Sequence, residues 1–443
     1  MSTDINTPLT LPCGITLPNR IAKAAMSEGL AHPLYSDPNE ALIQLYKRWG
    51  EGGLGMCITG NAFIDKRYRE APRTMLLDES ADLEKFKKLA QAISAYGTIS
   101  IVQLNHSGRQ TPVSVNTKAL APSAIRVQLQ VGSCLSKIMI ATPVEMTQDD
   151  ILDVADRFAR SAKLAVEAGF HGVQIHAAHG YLLAQFLSPQ TNQRTDEWGG
   201  SLENRKRLLF LTLEKTRAAM GKKAVLGIKI NSADFQRGGF SNEDCVEVLK
   251  ALGASAGLLD FVEISGGTYE NFEMMKPKYK SSVERESFFL EFCVTAQKHI
   301  KQLPIMCTGG FRSAAGMRHA LSTTRAVDII GVARPLAVDP DFAKNILNKK
   351  YTECATYPPP VPLVLKPFAY AVSALLQGLW HLAQIKRIAN GVAPDPNLGV
   401  WGPLLYPMLI TFYWDPQKNP IVAQTMCGVI VGGLCYFAQK KIF

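Results

Sequence analysis

The run Val173–Arg205 carries two imidazoles and a phenol within six positions, at His176, His179 and Tyr181. It opens as an apolar, strand-like stretch. A polar, glycine-punctuated loop follows, and an amphipathic segment starts near Leu202. Hydrogen-bond donors leaving the end of one strand are suited to gripping an oxyanion or a carbonyl oxygen. The chemistry expected is therefore on an oxygen-bearing organic substrate.

The elements that must hold these groups recur along the chain. Eight short apolar, β-branched runs are each followed by a helix-like segment: Arg20–Met26, Gly55–Ile64, Ile99–Leu104, Gly172–Ala178, Val225–Ser232, Phe261–Gly267, Pro304–Gly310 and Asp328–Pro335. Near-continuous apolar runs suit strands covered on both faces. Thr147–Asp150 opens the helical run Ile151–Gly169, Ser241–Asp244 opens Cys245–Gly257, and Lys85–Tyr96 is also amphipathic. Both openings have the pattern of a capping box with Asp at its third position. Eight strand–helix units predict a (β/α)8 TIM barrel, and no G-x-G-x-x-G follows the first strand as a doubly wound nucleotide fold would require. Two long connections, Gly108–Met146 and Thr268–Arg285 with Tyr269, Met274, Met275 and Tyr279, are expected to wall the catalytic face.

A chain of 443 residues with 47% apolar and 19% charged residues is globular with a substantial core. Its formal charge of +10 is scattered, which favours phosphorylated cofactors or anionic surfaces and gives no nucleic-acid footprint. Nine cysteines lie apart with no C-x-x-C pair, so reduced thiols in a cytoplasmic compartment are expected, with no Cys-based metal site. The N-terminus lacks the basic-then-apolar pattern of a secretory leader. A metal-dependent hydrolase using His106, His176 and His179 lacks a motif for the additional ligand.

The His176-x-x-His179-Gly180-Tyr181 core and the Asn192-x-Arg194-x-Asp196-x-x-Gly199-Gly200-Ser201-x-Glu203-Asn204-Arg205 loop resemble the signature of the Old Yellow Enzyme family of NADH:flavin oxidoreductases. The resemblance covers about Leu9 to Asn345. It implies non-covalent FMN across the barrel mouth, reduced by NAD(P)H in a ping-pong cycle, and reduction of electrophilic alkenes such as enones. His176 and His179 would bind the substrate oxygen, and Tyr181 would protonate the α-carbon. Ala25, Met26 and Ser27 match the segment that contacts the flavin, and Asn61 matches a small-residue position beside it. Gln103 suits the pyrimidine edge, and Lys229 replaces the arginine of many relatives near N1 and O2. Gly309, Gly310, Ala333 and Arg334 would hold the phosphate after strands seven and eight. His106 is open between a pocket role and a structural one. Relatives with an iron–sulfur centre carry a cysteine cluster after the barrel, whereas here Cys354 stands alone. Quinone or nitro reduction, and a membrane-associated barrel with little turnover, stay open as alternatives.

The division expected is a barrel at 1–345 and an extension at 346–443. After Pro358–Pro360 come three apolar blocks, Val361–Leu382, Leu398–Trp414 and Ile421–Phe437, the last followed by Lys440 and Lys441. Three readings stand for 361–443: helices packed on the barrel or on a partner in a homo-oligomer, peripheral membrane attachment helped by Trp401 and Trp414, or a single span.

Overall fold

The computed structural model describes residues 4–128, 133–268, 270, 289–323, 326–354 and 369–399. Its framework is a closed parallel barrel of β1 (Ile21–Lys23), β2 (Met56–Phe63), β3 (Ile99–Asn105), β4 (Gly172–Ala177), β5 (Val225–Asn231), β6 (Phe261–Ser265), β7 (Ile305–Thr308) and β8 (Ile329–Val332). Strand neighbours run in sequence order, and pairings of β1 with both β8 and β2 close the ring. A two-residue strand, Met75–Leu76, lies outside β2. All eight predicted strands form. Most are shorter than their apolar runs because ladder pairing stops before the loops begin. Pro304, without an N–H, precedes β7, and Gly309 and Gly310 follow it.

Helices α1 (Glu40–Glu51), α2 (Leu83–Ser94), α3 (Gln148–Glu167), α4 (Arg207–Met220), α5 (Asn242–Ala254), α6 (Leu290–Gln297), α7 (Ala314–Arg318) and α8 (Phe342–Leu347) follow the strands. α3 starts where its capping box is written: Thr147 Oγ1 accepts from the Asp150 amide at 3.2 Å, and Asp150 Oδ2 accepts from the Thr147 amide at 2.9 Å. Such a cap contributes about 1 kcal/mol. Its buried face, Ile151, Val154, Ala155, Phe158, Ala162 and Ala165, follows the three-and-four spacing of a helix packed on one side. In α5, Ser241 Oγ accepts from the Asp244 amide at 3.1 Å.

Alternate strand residues point into and out of the barrel. Outward residues such as Val173, Ile175, Leu226, Ile228, Val262 and Ile264 join the core beneath the helices. Inward residues form a separate apolar floor of Ala22, Met56, Ile58, Ile101, Val225, Phe261, Met306 and Ile329, joined by Leu11 and Leu17 from the N-terminal hairpin region. Gly227 on β5 makes room there, since a Cβ would fall 2.2 Å from the Phe261 ring. Further along the same inward rows the residues turn polar: Gln103, Gln174, His176, Lys229, Glu263 and Ser265. The apolar floor thus carries a polar layer at the C-terminal ends of the strands.

The connection after β3, expected as a loop wall, holds a parallel pair, Lys118–Ala121 with Thr142–Glu145, and a helix, Ser133–Met139. Nearly all of the connection after β6 lies outside the described residues. By contact the chain divides into one unit of Met1–Thr356 with Ile385–Pro394, and a second of Tyr357–Gln384 with Asp395–Phe443. Helix Ala369–Ala389 runs past the end of the first apolar block, through Gln384, Lys386 and Arg387. Among the described residues no helix is long and apolar enough to cross a membrane. The block Ile421–Phe437 lies outside them, as does Leu398–Trp414 after its first two residues.

Candidate active site

Nine of the expected residues line one cavity of about 110 Å³: Ala25, Met26, Ser27, Asn61, Gln103, His176, His179, Tyr181 and Lys229. They come from the ends of β1 to β5. Register explains part of this convergence, because Lys229 pairs with His176 on one side and with Glu263 on the other.

The imidazoles are edge to face, with ring centroids 5.1 Å apart, and the Tyr181 ring lies 4.8 Å from His176. His176 Nδ1 accepts from the Ala178 amide at 3.2 Å, which leaves the proton of the neutral ring on Nε2. His179 Nε2 lies 2.8 Å from Ser265 Oγ. Burial, then the charges of His179 and Lys229, holds His176 well below the usual imidazole range. Burial and Lys229 push His179 down to about 3. Both rings are therefore neutral at physiological pH.

His179 has a left-handed backbone, φ 57°, which costs a non-glycine residue energy unless neighbours hold it. Its amide donates to Asn231 Oδ1 at 3.1 Å, and its carbonyl accepts from Gln110 Nε2 at 3.1 Å. Gly180 follows at φ 73°. This turn brings His179 and Tyr181 back over the strand ends.

Beneath the histidines a polar chain crosses four strands. Gln103 Nε2 donates to Gln174 Oε1 and Gln174 Nε2 donates to Glu263 Oε2, each at 2.7 Å. Lys229 Nζ lies 2.9 Å from Glu263 Oε1, and both side chains are buried. Gln174 and Glu263 were not expected at the site. Their signal was an amide or carboxylate inside an otherwise apolar strand, Val-Gln-Ile and Val-Glu-Ile, as with Ile-Lys-Ile at Lys229. Glu70 was also missed. It accepts from Ser27 Oγ and Tyr181 Oη, and from Asn61 Nδ2 at 3.0 Å.

Asn61 enters the barrel through a bulge. Between Ile58 and Asn61, β2 advances three residues while β3 advances two, from Ile101 to Gln103. The bulge reverses the alternation, so Ala62 and Ile64 pack outward and Asn61 inward. The bulged Gly60 amide is satisfied by Glu28 Oε1 at 2.9 Å and Tyr46 Oη at 2.7 Å.

Gly309, Gly310, Ala333 and Arg334 sit at the ends of β7 and β8, outside this cavity's lining. A Cβ on Gly309 would fall 2.8 Å from the Phe289 ring, and Gly310 has φ 80°. His106 does not line the cavity. Its Nδ1 accepts from the Gly108 amide at 3.0 Å, its ring lies 4.9 Å from Tyr68, and burial pushes it down to about 4. It packs in the wall beside Tyr68, away from this cavity. Much of the 192–205 signature is likewise scaffold. Asn192 Nδ2 donates to the carbonyls of Phe186 and Trp198, and buried Arg205 pairs with Asp244.

The donor set fits a flavin. Gln103 and Lys229 offer N–H groups to a carbonyl-bearing ring edge. Asn61 Oδ1 is buried beside them with no hydrogen-bond partner among the described residues, as an acceptor that awaits a ligand N–H would be.

Residues 4–353 match the model of the NADH:flavin oxidoreductase / NADH oxidase family. The chain is 38% identical to the NADH-dependent flavin oxidoreductase iliE of a Neonectria species, over 78% of this chain and 47% of that protein, so it spans about half of that relative's length. It is 36% identical to the iliE of Hypocrea jecorina, over 80% of this chain and 92% of that one. The solved old yellow enzyme homologue of Zymomonas mobilis shares the fold, with TM-score 0.65 and 24% identity over 80% of this chain and 95% of that one. The chain is an oxidoreductase that belongs to the NADH:flavin oxidoreductase / NADH oxidase family.

Proposed function

We propose that this FMN- and NAD(P)H-dependent oxidoreductase reduces carbon–carbon double bonds activated by a carbonyl or similar group. The observation that carries the reading is the pair of neutral imidazoles, His176 buried and His179 half-buried, edge to face beside the Tyr181 phenol. A neutral donor pair suits an oxygen that gains negative charge only as the reaction proceeds.

FMN, when bound, supplies hydride transfer between the nicotinamide and the acceptor. The chain's own residues do the rest. His176, with its proton on Nε2, donates to the substrate oxygen. Ser265 can donate its hydroxyl to His179 Nε2, which leaves the Nδ1 proton of His179 for the same oxygen. Polarising that oxygen draws electron density from the β-carbon, and Tyr181 delivers a proton to the α-carbon. Gln103 and Lys229 would hold the pyrimidine edge, with Ala25, Met26, Ser27 and Asn61 around the ring. Gly309, Gly310, Ala333 and Arg334 would hold the phosphate. We read 346–443 as an appendage that takes no part in this chemistry.

An anaerobic titration tests the reading. Flavin absorbance should bleach with NADH or NADPH and return on adding cyclohexenone. A flavin that bleaches but ignores enones would leave the family intact and sink the alkene assignment. Replacing His176 and His179 together with Ala should slow reoxidation by enone by on the order of 10³-fold or more while flavin stays bound.

A further inference from the structure

Each alkene reduced takes one proton from Tyr181, and that proton must be replaced before the next turnover. The phenol is only 2% exposed, and its hydroxyl is held by a neighbouring side chain. Glu70, in the loop after β2, is half-buried and accepts the hydrogen bond of Tyr181 Oη on Oε2. The same oxygen accepts from Asn61 Nδ2 at 3.0 Å, while Oε1 accepts from Ser27 Oγ, and Ser27 is exposed at the rim. Asn61 Nδ2 also lies 3.4 Å from Tyr181 Oη. The buried phenol is thus hydrogen-bonded to a carboxyl group that is itself only half-buried.

We infer that Glu70 is a positioning residue that holds the Tyr181 hydroxyl and returns a proton to it from solvent after each turnover. The inference rests on the reading of Tyr181 as the proton donor. The steps balance. The cofactor, when bound, would supply the hydride for the β-carbon; the alkene π pair becomes the bond from the α-carbon to hydrogen, and the Tyr181 O–H bond breaks to leave a phenolate. The carboxyl O–H of Glu70 then breaks to reform the phenol, and water reprotonates the carboxylate. One solvent proton is consumed for each NAD(P)H oxidised.

Glutamine separates this role from a merely structural one. In Glu70→Gln the amide oxygen can still accept from Tyr181 and Asn61, and the Ser27 hydroxyl can turn to accept from the amide N–H. The hydrogen bonds stay and the carried proton is lost. On the flavin-loaded protein, steady-state and single-turnover measurements should separate the proton's return from its delivery. Steady-state kcat with cyclohexenone should fall at least about tenfold, while the first reoxidation by enone and the reduction by NADH stay within about twofold. Glu70→Asp should keep most of the rate. Glu70→Ala should be slow and should recover when acetate is added, since a soluble carboxylic acid can stand in for the lost group. In flavin-free protein, the infrared bands of the Glu70 side chain, identified by their loss in Glu70→Gln, should shift in Tyr181→Phe.

Wild-type steady-state turnover in Glu70→Gln, together with slow first reoxidation in Tyr181→Phe, would overturn the role of Glu70 and leave that of Tyr181. Wild-type reoxidation in Tyr181→Phe would overturn the reading on which both rest. If Glu70→Gln fails to hold flavin, the alanine variant decides, and no recovery with acetate overturns the proposal.

Discussion

Two buried lysines stand in barrel strands and face opposite ways. Lys23 on β1 turns outward beneath α1. Its ammonium donates to the carbonyls of Ile58 at 2.9 Å and Ala24 at 3.2 Å, and lies 4.7 Å from the Trp49 ring centroid and 5.1 Å from that of Tyr46. Lys229 on β5 turns inward, pairs with Glu263 and lines the cavity. Carbonyls and aromatic faces surround the first ammonium inside the wall. The second has one charged partner behind it and the site in front. Burial lowers the affinity of Lys23 for its proton and raises that of nearby Glu28, and the charge of each opposes the shift of the other. A buried charge marks a binding site when some of its hydrogen-bonding capacity faces a cavity, and a piece of scaffold when protein uses it up.

The largest effect should come from breaking the inner pair. Lys229→Met leaves the Glu263 carboxylate buried without its cation and should cost about 3–5 kcal/mol in urea unfolding. Adding Glu263→Gln should recover most of that stability while flavin affinity stays weakened. A single variant as stable as wild type would mean that Glu263 carries no buried charge.

The histidines sharpen the comparison through pH. The unfolded chain binds a proton at each imidazole below about pH 6.5, whereas the folded chain resists until far lower, about 3 for His179. Their contribution is therefore fully present above pH 6.5 and declines as pH falls. Between about pH 7 and about pH 5 the share of His179 should fall by roughly 2 kcal/mol. His179→Asn should flatten that decline by one imidazole's share in unfolding measured across the range. An unchanged slope would contradict a neutral His179 in the folded chain.

The smallest effect belongs to the wall. Tyr46→Phe removes the hydroxyl that donates to Glu28 and accepts from the Gly60 amide. It should cost about 1–2 kcal/mol. Because Glu28 still holds Gly60, the limiting rate of enone reduction should hold within about twofold. A tenfold loss of rate without loss of stability would instead place this cluster in the chemistry.

The barrel and the His176–His179–Tyr181 cluster were legible because both are local. A strand followed by a helix shows in apolar runs and caps, and three groups at the end of one strand need only one turn to converge. The expected flavin contacts came from a family pattern carried over position by position, with Lys229 standing where many relatives have arginine. Gln174, Glu263 and Glu70 were not legible, because each meets its partners across the barrel at long sequence separations: Glu70 lies 111 positions from Tyr181, and Gln174 lies 89 from Glu263. For His106 the spacing left its surroundings open, and only the tertiary structure set it beside Tyr68 and outside the cavity.

The chain by itself determined the strand–helix rhythm, the apolar floor and the donors at the end of β4, since periodicity and spacing act over a few residues. Only the tertiary structure decided which way Asn61 faces. Strict alternation from Ile58 would point it outward, and one extra residue, held by Glu28 and Tyr46 from elsewhere in the chain, turns it in. Closure of the barrel likewise decided that Gln103, Gln174, Glu263 and Lys229 form one chain. Side chains from four separate strands meet only when ring curvature brings their inward faces together.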